Sequence, residues 1–245
     1  MRLYGKRSVM ERLKVNPKSI KRIYLQEGMP RLEVMDLARK NKITIENLQA
    51  KRFFQFAQDA QTQGVMAEVD RFLYRDFDEL INQDNKPILI CLDRITDPQN
   101  LGVILRNSAC FGGFCIVLPK YESAEVNETV LKVACGAENY VAVSLVTNLS
   151  TAIQKAKKAG YWVGAAVVEG GEVPRQIKLN FPLALLFGSE GEGIRPGLLK
   201  HVDYKLTLPM QGAGLSFNVA MAAGIFCYEA SSQREDAKHQ LLAKT

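Results

Sequence analysis

Six short apolar runs recur between residues 88 and 208, and helix-like stretches separate or follow them. The runs are Ile88–Leu92, Phe114–Leu118, Tyr140–Val146, Trp162–Val168, Leu183–Phe187 and Tyr204–Leu208. The helix-like stretches are Leu101–Cys110, Glu125–Cys135, Ser150–Ala159 and Ser216–Ala230. Apolar strands that alternate with helices are typical of a parallel sheet covered on both faces. The sequence therefore predicts an α/β domain over residues 87–235, followed by a tail at 236–245.

A smaller α/β pattern precedes this domain. Helical spacing of apolar residues occurs in Arg7–Lys14, between residues 32 and 38, and between residues 53 and 57. Strand-like segments are Ile20–Leu25, Ile43–Ile45 and Val65–Val69. Residues 71–86 are mostly polar, as expected of a domain boundary. These patterns predict a small α/β domain over residues 1–75 and a linker over 76–86.

Positive charge is concentrated near the start of the chain. Residues 1–58 contain 14 Lys and Arg but only 5 Asp and Glu, a net charge of +9, whereas the remaining residues carry −3. A local positive field is expected of a protein that binds a phosphate backbone. A solvated surface without a partner is the alternative interpretation, and charge alone does not decide between them.

Several nucleotide-dependent and membrane classes are excluded by missing motifs. The segment after Ile88–Leu92 has no G-x-G-x-x-G fingerprint, so a dehydrogenase with an atypical cofactor loop is disfavoured. No phosphate-binding loop or G-x-S-x-G elbow occurs either. The five cysteines form no C-x-x-C pair and the two histidines are far apart, so no metal is expected. The longest apolar runs are far shorter than the roughly 18 residues of a membrane span, and the charged start resembles no signal peptide, so the expected location is cytoplasmic.

Three blocks in the larger domain carry more specific information. The first places Asn100 and Gly102 before a helix that bears Arg106, and the second runs from a strand into Gly188–Gly193. The third leads from Leu208-Pro209-Met210 through glycines and Leu215 to Ser216, which is placed to cap an apolar helix. Taken singly, each block fits an ordinary cap, solvated side chain or turn. The apolar helix must be buried in the core or in a subunit interface, which favours a homodimer.

Together, in this order and spacing, the blocks resemble the signature motifs of the SpoU (TrmH-like) family of RNA ribose 2′-O-methyltransferases, in the SPOUT superfamily. The matching elements are Asn100-x-Gly102-x-x-x-Arg106-x-x-Ala109, Gly188-x-Glu190-x-x-Gly193 and Leu208-Pro209-Met210-x-Gly212-x-x-x-Ser216-x-Asn218-Val219. The first 70 residues look like that family's substrate-binding domain, which resembles ribosomal protein L30e. The layout is most similar to enzymes that methylate a guanosine ribose in 23S rRNA.

The resemblance implies a fold and a cofactor. The sheet would carry a C-terminal trefoil knot that binds S-adenosyl-L-methionine, and the protein would act as a homodimer on RNA. The cofactor would contact Gly188, Leu208, Met210, Leu215 and Phe217, mostly through backbone groups and apolar surface.

The resemblance also implies catalytic residues: Arg106, Glu190, Ser216, Asn218 and Asn100. Because a guanidinium normally stays charged, we expect Arg106 to orient the 2′-hydroxyl and stabilise developing negative charge rather than act as a base. Ribosomal RNA is the expected substrate. A tRNA 2′-O-methyltransferase of the same family and a catalytically silent RNA-binding scaffold are the alternatives.

Overall fold

The computed structural model describes residues 1–29, 32–57 and 62–242. The chain forms two compact units. The first unit contains Met1–Leu73 and Glu125–Tyr140, and the second contains Tyr74–Ala124 and Val141–Thr245. A segment that lies in the middle of the larger predicted domain therefore packs with the first unit.

Strands and helices alternate along most of the chain. The strands are β1 (Arg2–Tyr4), β2 (Ile20–Gln26), β3 (Ile45–Leu48), β4 (Val65–Val69), β5 (Ile88–Asp93), β6 (Phe114–Pro119), β7 (Ala142–Val146), β8 (Trp162–Ala166), β9 (Leu183–Gly188) and β10 (Tyr204–Leu206). The helices are α1 (Lys6–Val15), α2 (Leu32–Lys40), α3 (Ala50–Ala57), α4 (Phe77–Asn82), α5 (Pro98–Phe111), α6 (Glu128–Ala134), α7 (Leu149–Lys158), α8 (Pro196–Leu199) and α9 (Val219–Leu242).

The second unit is built on a six-stranded sheet with the order β10-β8-β9-β5-β6-β7. Every neighbouring pair in this sheet is parallel. Each of the six apolar runs forms one of its strands, so the prediction of an α/β fold with a parallel sheet is confirmed. Parallel strands read as continuous apolar runs because both of their faces are buried.

Helices cover both faces of this sheet. Alternate residues such as Leu89 and Cys91 face an apolar cluster that includes side chains of α4 and α7. On α9, Phe226 packs against Phe187 of β9, with ring centroids 5.6 Å apart, and α9 also packs along α5. The core of the second unit therefore lies in two layers, one on each side of the sheet.

The segment predicted as a linker over 76–86 contains a helix. Asp76 caps α4 by accepting a hydrogen bond from the backbone N–H of Glu79 at 3.0 Å. Phe77, Leu80 and Ile81 are buried in the core of the second unit. The segment is polar in overall composition, and this composition conceals the three apolar residues. Their i, i+3, i+4 spacing is that of one helix face.

The first unit contains a mixed four-stranded sheet with the order β1-β4-β2-β3. Strands β2 and β3 are parallel, and the other pairs are antiparallel. Tyr24, Phe53 and Met66 lie in an apolar cluster of this unit. Sequence reasoning missed β1, because three residues are too few to display an alternating pattern.

Polar contacts bind the segment Glu125–Tyr140 to the start of the chain. Glu128 accepts hydrogen bonds from the backbone N–H of Arg2 at 2.8 Å and the hydroxyl of Tyr4 at 3.1 Å. Arg12 and Glu138 form an ion pair at 3.0 Å, with both side chains buried. Desolvation by burial raises the pKa of Glu138 above its ordinary value.

Candidate active site

The loops that follow three neighbouring strands of the second unit meet at one edge of its sheet. Strands β10, β8 and β9 are adjacent and parallel, so their carboxyl ends share that edge. Ligands of open α/β sheets collect beyond the carboxyl ends of the strands. This edge is therefore where the sheet topology places a binding site.

A cavity of about 360 Å³ lies at this edge. Its walls come from the ends of β8 and β9, the loop after each, the loop after β10, and the first turns of α9. The lining residues are Ala166, Val167, Val168, Phe187, Gly188, Ser189, Glu190, Gly191, Glu192, Gly193, Leu208, Met210, Ser216, Phe217, Val219, Ala222 and Phe226. A largely apolar lining with a few polar groups is typical of a small-molecule site.

Four of the five cofactor candidates line this cavity: Gly188, Leu208, Met210 and Phe217. The fifth, Leu215, is 75% exposed and lies outside the lining. Sequence reasoning missed the wall formed by Ala166, Val167 and Val168, because nothing in that strand end differs from an ordinary buried strand.

Gly188 makes the loop after β9 possible. A Cβ atom at Gly188 would lie 2.1 Å from the carbonyl carbon of Gly193. The chain turns back on itself here, and the N–H of Gly193 donates to the carbonyl of Ser189 at 2.9 Å. Gly193 has a φ of +66°, a region that L side chains rarely adopt. The two glycines therefore shape the cavity wall through the backbone.

Two ion pairs hold this loop against the end of β5. Asp93 is fully buried and accepts hydrogen bonds from the backbone N–H of Arg195 at 3.0 Å and from its Nε at 2.8 Å. Arg94 pairs with Glu192 and donates to the carbonyl of Gly193 at 3.4 Å. Sequence reasoning missed these residues, although a buried strand ending in Asp-Arg was a usable signal.

Asn100, Glu190 and Asn218, one residue from each block, form a hydrogen-bonded cluster. The side-chain amide of Asn218 donates to Asn100 Oδ1 at 3.0 Å and also to Glu190 Oε1. The amide of Asn100 lies 3.4 Å from the same Glu190 oxygen. The cluster thus fixes the carboxylate of Glu190 at the mouth of the cavity, which that residue also lines.

Asn218, and not Ser216, caps the long C-terminal helix. Asn218 Oδ1 accepts hydrogen bonds from the backbone N–H of Ala220 at 2.9 Å and of Met221 at 3.3 Å. The expectation that Ser216 caps this helix is wrong, because α9 begins only at Val219. Ser216 instead lines the cavity. Helix α9 also runs through most of the tail expected at 236–245.

Arg106 lies outside the cavity lining, on the exposed side of α5. Elsewhere on α5, Asn107 donates to the carbonyl of Ala220 at 3.2 Å, which fixes α5 against α9. A Cβ atom at Gly224 would lie 2.7 Å from Asn107 Nδ2, so the two helices approach closely there. Asn107 and Gly224 therefore lock the two helices together, whereas Arg106 is exposed to solvent.

An apolar stripe is exposed on α9 and α5. Met221, Ile225 and Tyr228 lie on one face of α9 and are between 36% and 61% exposed. Phe111 of α5 extends this stripe, with its ring centroid 6.0 Å from that of Tyr228. Val103, one turn before Arg106, is also partly exposed. Contiguous exposed apolar surface of this kind is typical of an interaction site.

The basic groups of the first unit take part in several surface ion pairs. Lys6 pairs with Glu33 at 2.7 Å, and Arg22 pairs with Glu46 at 2.8 Å. Lys21 lies 3.4 Å from a carboxylate oxygen of Asp70. Exposed pairs of this kind are weak, so these cations can exchange their partner for a phosphate.

Residues 1–29, 32–57 and 62–242 contain no group of three or more His, Cys, Asp or Glu side chains placed to hold a metal ion. Within the same ranges, no helix is both long enough and apolar enough to cross a membrane.

The sequence matches two families that divide the chain between them. Residues 87–228 match the SpoU rRNA Methylase family, and residues 2–75 match the family described as RNA 2′-O ribose methyltransferase substrate binding. The first match contains the cavity and the Asn100–Glu190–Asn218 cluster. The fold and the site thus define a methyltransferase-like α/β protein, and the chain belongs to the SpoU rRNA methylase family.

Individual relatives extend this likeness over nearly the whole chain. The 23S rRNA (guanosine-2′-O-)-methyltransferase RlmB of Pseudomonas putida is 34% identical over 96% of this chain and 97% of its own length. The protein of the same name from Neisseria meningitidis is 35% identical over 95% of both chains.

Solved structures show the same fold. The AdoMet-bound rRNA methyltransferase from Sinorhizobium meliloti has a TM-score of 0.78 at 23% identity, covering 94% of this chain and 85% of that one. The SpoU methyltransferase AviRb from Streptomyces viridochromogenes, in complex with AdoMet, has a TM-score of 0.80 at 19% identity, covering 96% and 91%.

Proposed function

We propose that this protein transfers a methyl group from S-adenosyl-L-methionine to a ribose 2′-hydroxyl of a guanosine in 23S rRNA. The observation that carries this proposal is that the second and third family motifs line one cavity, and that Asn100 of the first motif is hydrogen-bonded to both of them. Glu190, Ser216 and Met210 line this cavity, and Asn100 and Asn218 hold Glu190 in place. The relatives that share this substrate in their names align over almost the full length of the chain.

The cavity fits S-adenosylmethionine in size and chemistry. Its volume of about 360 Å³ lies within the range of small-molecule sites. Gly188 and Gly193 leave backbone groups accessible for polar parts of the cofactor, and Leu208, Met210 and Phe217 offer apolar contact. When bound, the cofactor supplies an activated methyl group. Leu215, which is exposed, remains a proposed contact only if the 209–218 loop closes over the ligand.

The residues of this chain orient the substrate and stabilise charge. Arg106 would bind the 2′-hydroxyl and an adjacent phosphate, because its planar guanidinium offers two parallel donors. Glu190 would orient polar groups of the substrate, and Asn100 and Asn218 would hold that carboxylate in one position. Ser216 would donate or accept a hydrogen bond at the mouth of the cavity. In this reaction the main tasks of the enzyme are to orient the 2′-hydroxyl and to remove its proton.

The proposal includes a homodimer formed through the exposed stripe of Met221, Ile225, Tyr228 and Phe111. A second copy would bury this apolar surface, and Arg106, on the exposed side of the same α5, would then lie near the interface. Light scattering of the full chain should give a dimeric mass at micromolar concentration, and Tyr228→Glu should reduce it. A monomeric mass with full activity would contradict the dimer.

We also propose the finer features of the family fold. The C-terminal segment would thread through a loop to form a trefoil knot, which is supported by the return of the chain from β10 at the sheet edge to α9 against β9. The first unit would be the L30e-like RNA-binding domain, supported by its family match and its basic residues. No metal is required in this scheme, and the cytoplasm is the proposed location.

The decisive experiment combines cofactor binding with mapping of methylated riboses. Calorimetry should detect S-adenosylmethionine binding, and rRNA from a deletion strain should lack one guanosine 2′-O-methyl group that the purified enzyme restores. Loss of a methylated tRNA ribose would instead favour the tRNA enzyme. RNA binding without cofactor binding would favour the silent scaffold.

A further inference from the structure

Tyr121, in the loop after β6, is an unusually exposed aromatic residue. Its exposed fraction of 66% is the largest among the aromatic side chains of the described residues. Lys120 Nζ lies 5.8 Å from the centre of its ring, close enough for a weak cation–π contact. The Tyr121 ring is therefore largely exposed and has a positive charge beside it.

This ring borders a groove of about 490 Å³ in the second unit. The groove lies at the carboxyl ends of β6 and β7. Arg195 and Pro196 line it together with Tyr121, and Asn148 and Ser150 supply polar groups. The side chain of Arg195 is 41% exposed, so its guanidinium can meet both Asp93 and a ligand in the groove.

The groove adjoins the cofactor cavity through one loop. Gly193 lines the cavity and Arg195 lines the groove. Their Cα atoms are separated by two peptide units and lie at most about 7.6 Å apart. The N–H of Ala124 donates to the carbonyl of Ile95 at 2.8 Å, so the loop that carries Tyr121 is fixed to the end of β5. A ligand in the groove would therefore lie beside the loop that forms one wall of the cofactor cavity.

The charges around the groove favour a site that binds a base by stacking rather than one that binds an anion by charge alone. Glu122 lies 3.8 Å from Arg195 Nη1 and reduces the positive charge of the groove. Arg195 still presents part of its guanidinium to the groove and can contact a single phosphate there. An aromatic face next to one or two cations is the arrangement that binds single-stranded nucleic acid.

We propose that this groove binds an unpaired nucleotide of the substrate RNA, near in sequence to the methylated one, with its base stacked on Tyr121. Arg195 lies beside its phosphate. The inference rests on the proposed function, because it assumes an RNA substrate at the neighbouring cavity. It assigns Tyr121 a role in substrate binding that none of the sequence motifs contains.

A fluorescence experiment tests stacking without requiring turnover. The chain has a single tryptophan, Trp162, so Tyr121→Trp combined with Trp162→Phe creates a probe confined to the groove. Single-stranded RNA should quench this emission with the same affinity that a filter-binding assay reports. Trp162→Phe alone provides the blank. RNA binding by filter assay without any quenching would overturn the proposal.

Kinetics provide the second test. Tyr121→Ala should raise KM for RNA roughly 5- to 150-fold, the effect expected when one stacked base loses its aromatic platform, with kcat nearly unchanged. Tyr121→Phe should retain the wild-type KM, and cofactor affinity should be equal in all three proteins. An unchanged KM for RNA in Tyr121→Ala would overturn the proposal that the groove binds a nucleotide. Quenching in a protein that methylates no RNA would instead overturn the proposed function and leave the groove supported.

Discussion

The two compact units bury charge in different ways. In the first, Arg12 and Glu138 are both enclosed, with side chains 8% and 0% exposed. In the second, Asp93 is enclosed but its partner Arg195 is 41% exposed. The first pair has no access to a ligand and attaches the segment Glu125–Tyr140 to helix α1 of the first unit. The second pair leaves a guanidinium at the surface, next to the candidate active site.

The units also differ in net charge, although less than the sequence segments do. The first unit contains 16 Lys and Arg against 11 Asp and Glu, a net charge of +5, and the second carries +1. The inserted segment Glu125–Tyr140 brings three acidic residues to the first unit. Charge counted along the chain therefore overstates the field that a partner of the first unit meets.

The largest expected effect concerns the enclosed pair. Glu138→Ala should lower the free energy of unfolding by about 3–5 kcal/mol, because it removes the carboxyl oxygen that accepts a hydrogen bond from the buried guanidinium of Arg12. Denaturant unfolding would measure this, with the exposed Glu125→Ala as a control expected to stay within about 0.5 kcal/mol of wild type. Equal stability of the two variants would show that the pair contributes nothing.

The same glutamate should produce a pH dependence. Burial raises the pKa of Glu138 above its ordinary 4.5, so the folded state binds this proton more tightly than the unfolded state. The contribution to stability is therefore greatest below pH 4.5 and falls as pH rises from 4.5 through the raised pKa. Glu138→Gln should lack that fall, whereas an identical pH profile in wild type and variant would contradict the assignment.

The second prediction tests whether the chemistry resides in the second unit. Arg106→Ala should lower kcat by about 100- to 1,000-fold, the usual effect of removing a donor to developing negative charge. Cofactor affinity measured by calorimetry should stay nearly constant, because Arg106 lies outside the cavity lining. Arg106→Lys should also fail if a planar two-donor group is needed. Full activity of the lysine variant would exclude the bidentate role.

The third prediction concerns the cavity wall. Gly188→Ala should weaken S-adenosylmethionine binding by about 1–3 kcal/mol, because the new methyl group would collide with the backbone of Gly193. Gly197→Ala is the matched control, since a Cβ atom there meets nothing within 4 Å and Gly197 lies outside the cavity lining. Titration calorimetry would measure the S-adenosylmethionine affinity of both variants. Equal cofactor affinities would mean that the loop after β9 does not shape the site.

The smallest effect tests RNA binding by the first unit. Charge reversal at Lys18, Lys21 and Arg22 should flatten the dependence of log affinity on log salt by roughly 0.7–0.9 for each phosphate that the variant no longer binds. Reversal of three exposed lysines of the second unit is the control: Lys158, Lys178 and Lys200. An unchanged slope in the first variant would identify the basic segment as a solvated surface.

The regular elements of the molecule could be predicted because their signals are local. Each apolar run became a strand, and the helices between the runs are close to the predicted ranges. One prediction failed because two neighbouring residues satisfy the same capping preference: Ser216 and Asn218 can both cap a helix. Only the observed start of the helix at Val219 selects Asn218. The linker was misassigned because three apolar residues were averaged with polar neighbours.

The sequence by itself determined the family, the parallel sheet and the motif residues, because strand periodicity and motif spacing are properties of neighbouring residues. Only the tertiary structure decided that Asn100, Glu190 and Asn218 meet, that Arg106 faces outward, and that Glu125–Tyr140 joins the first unit. These arrangements join residues about 30 to 130 positions apart. Such pairs carry no mutual signal in one sequence, since their contact arises only when sheet order and helix packing bring distant segments together.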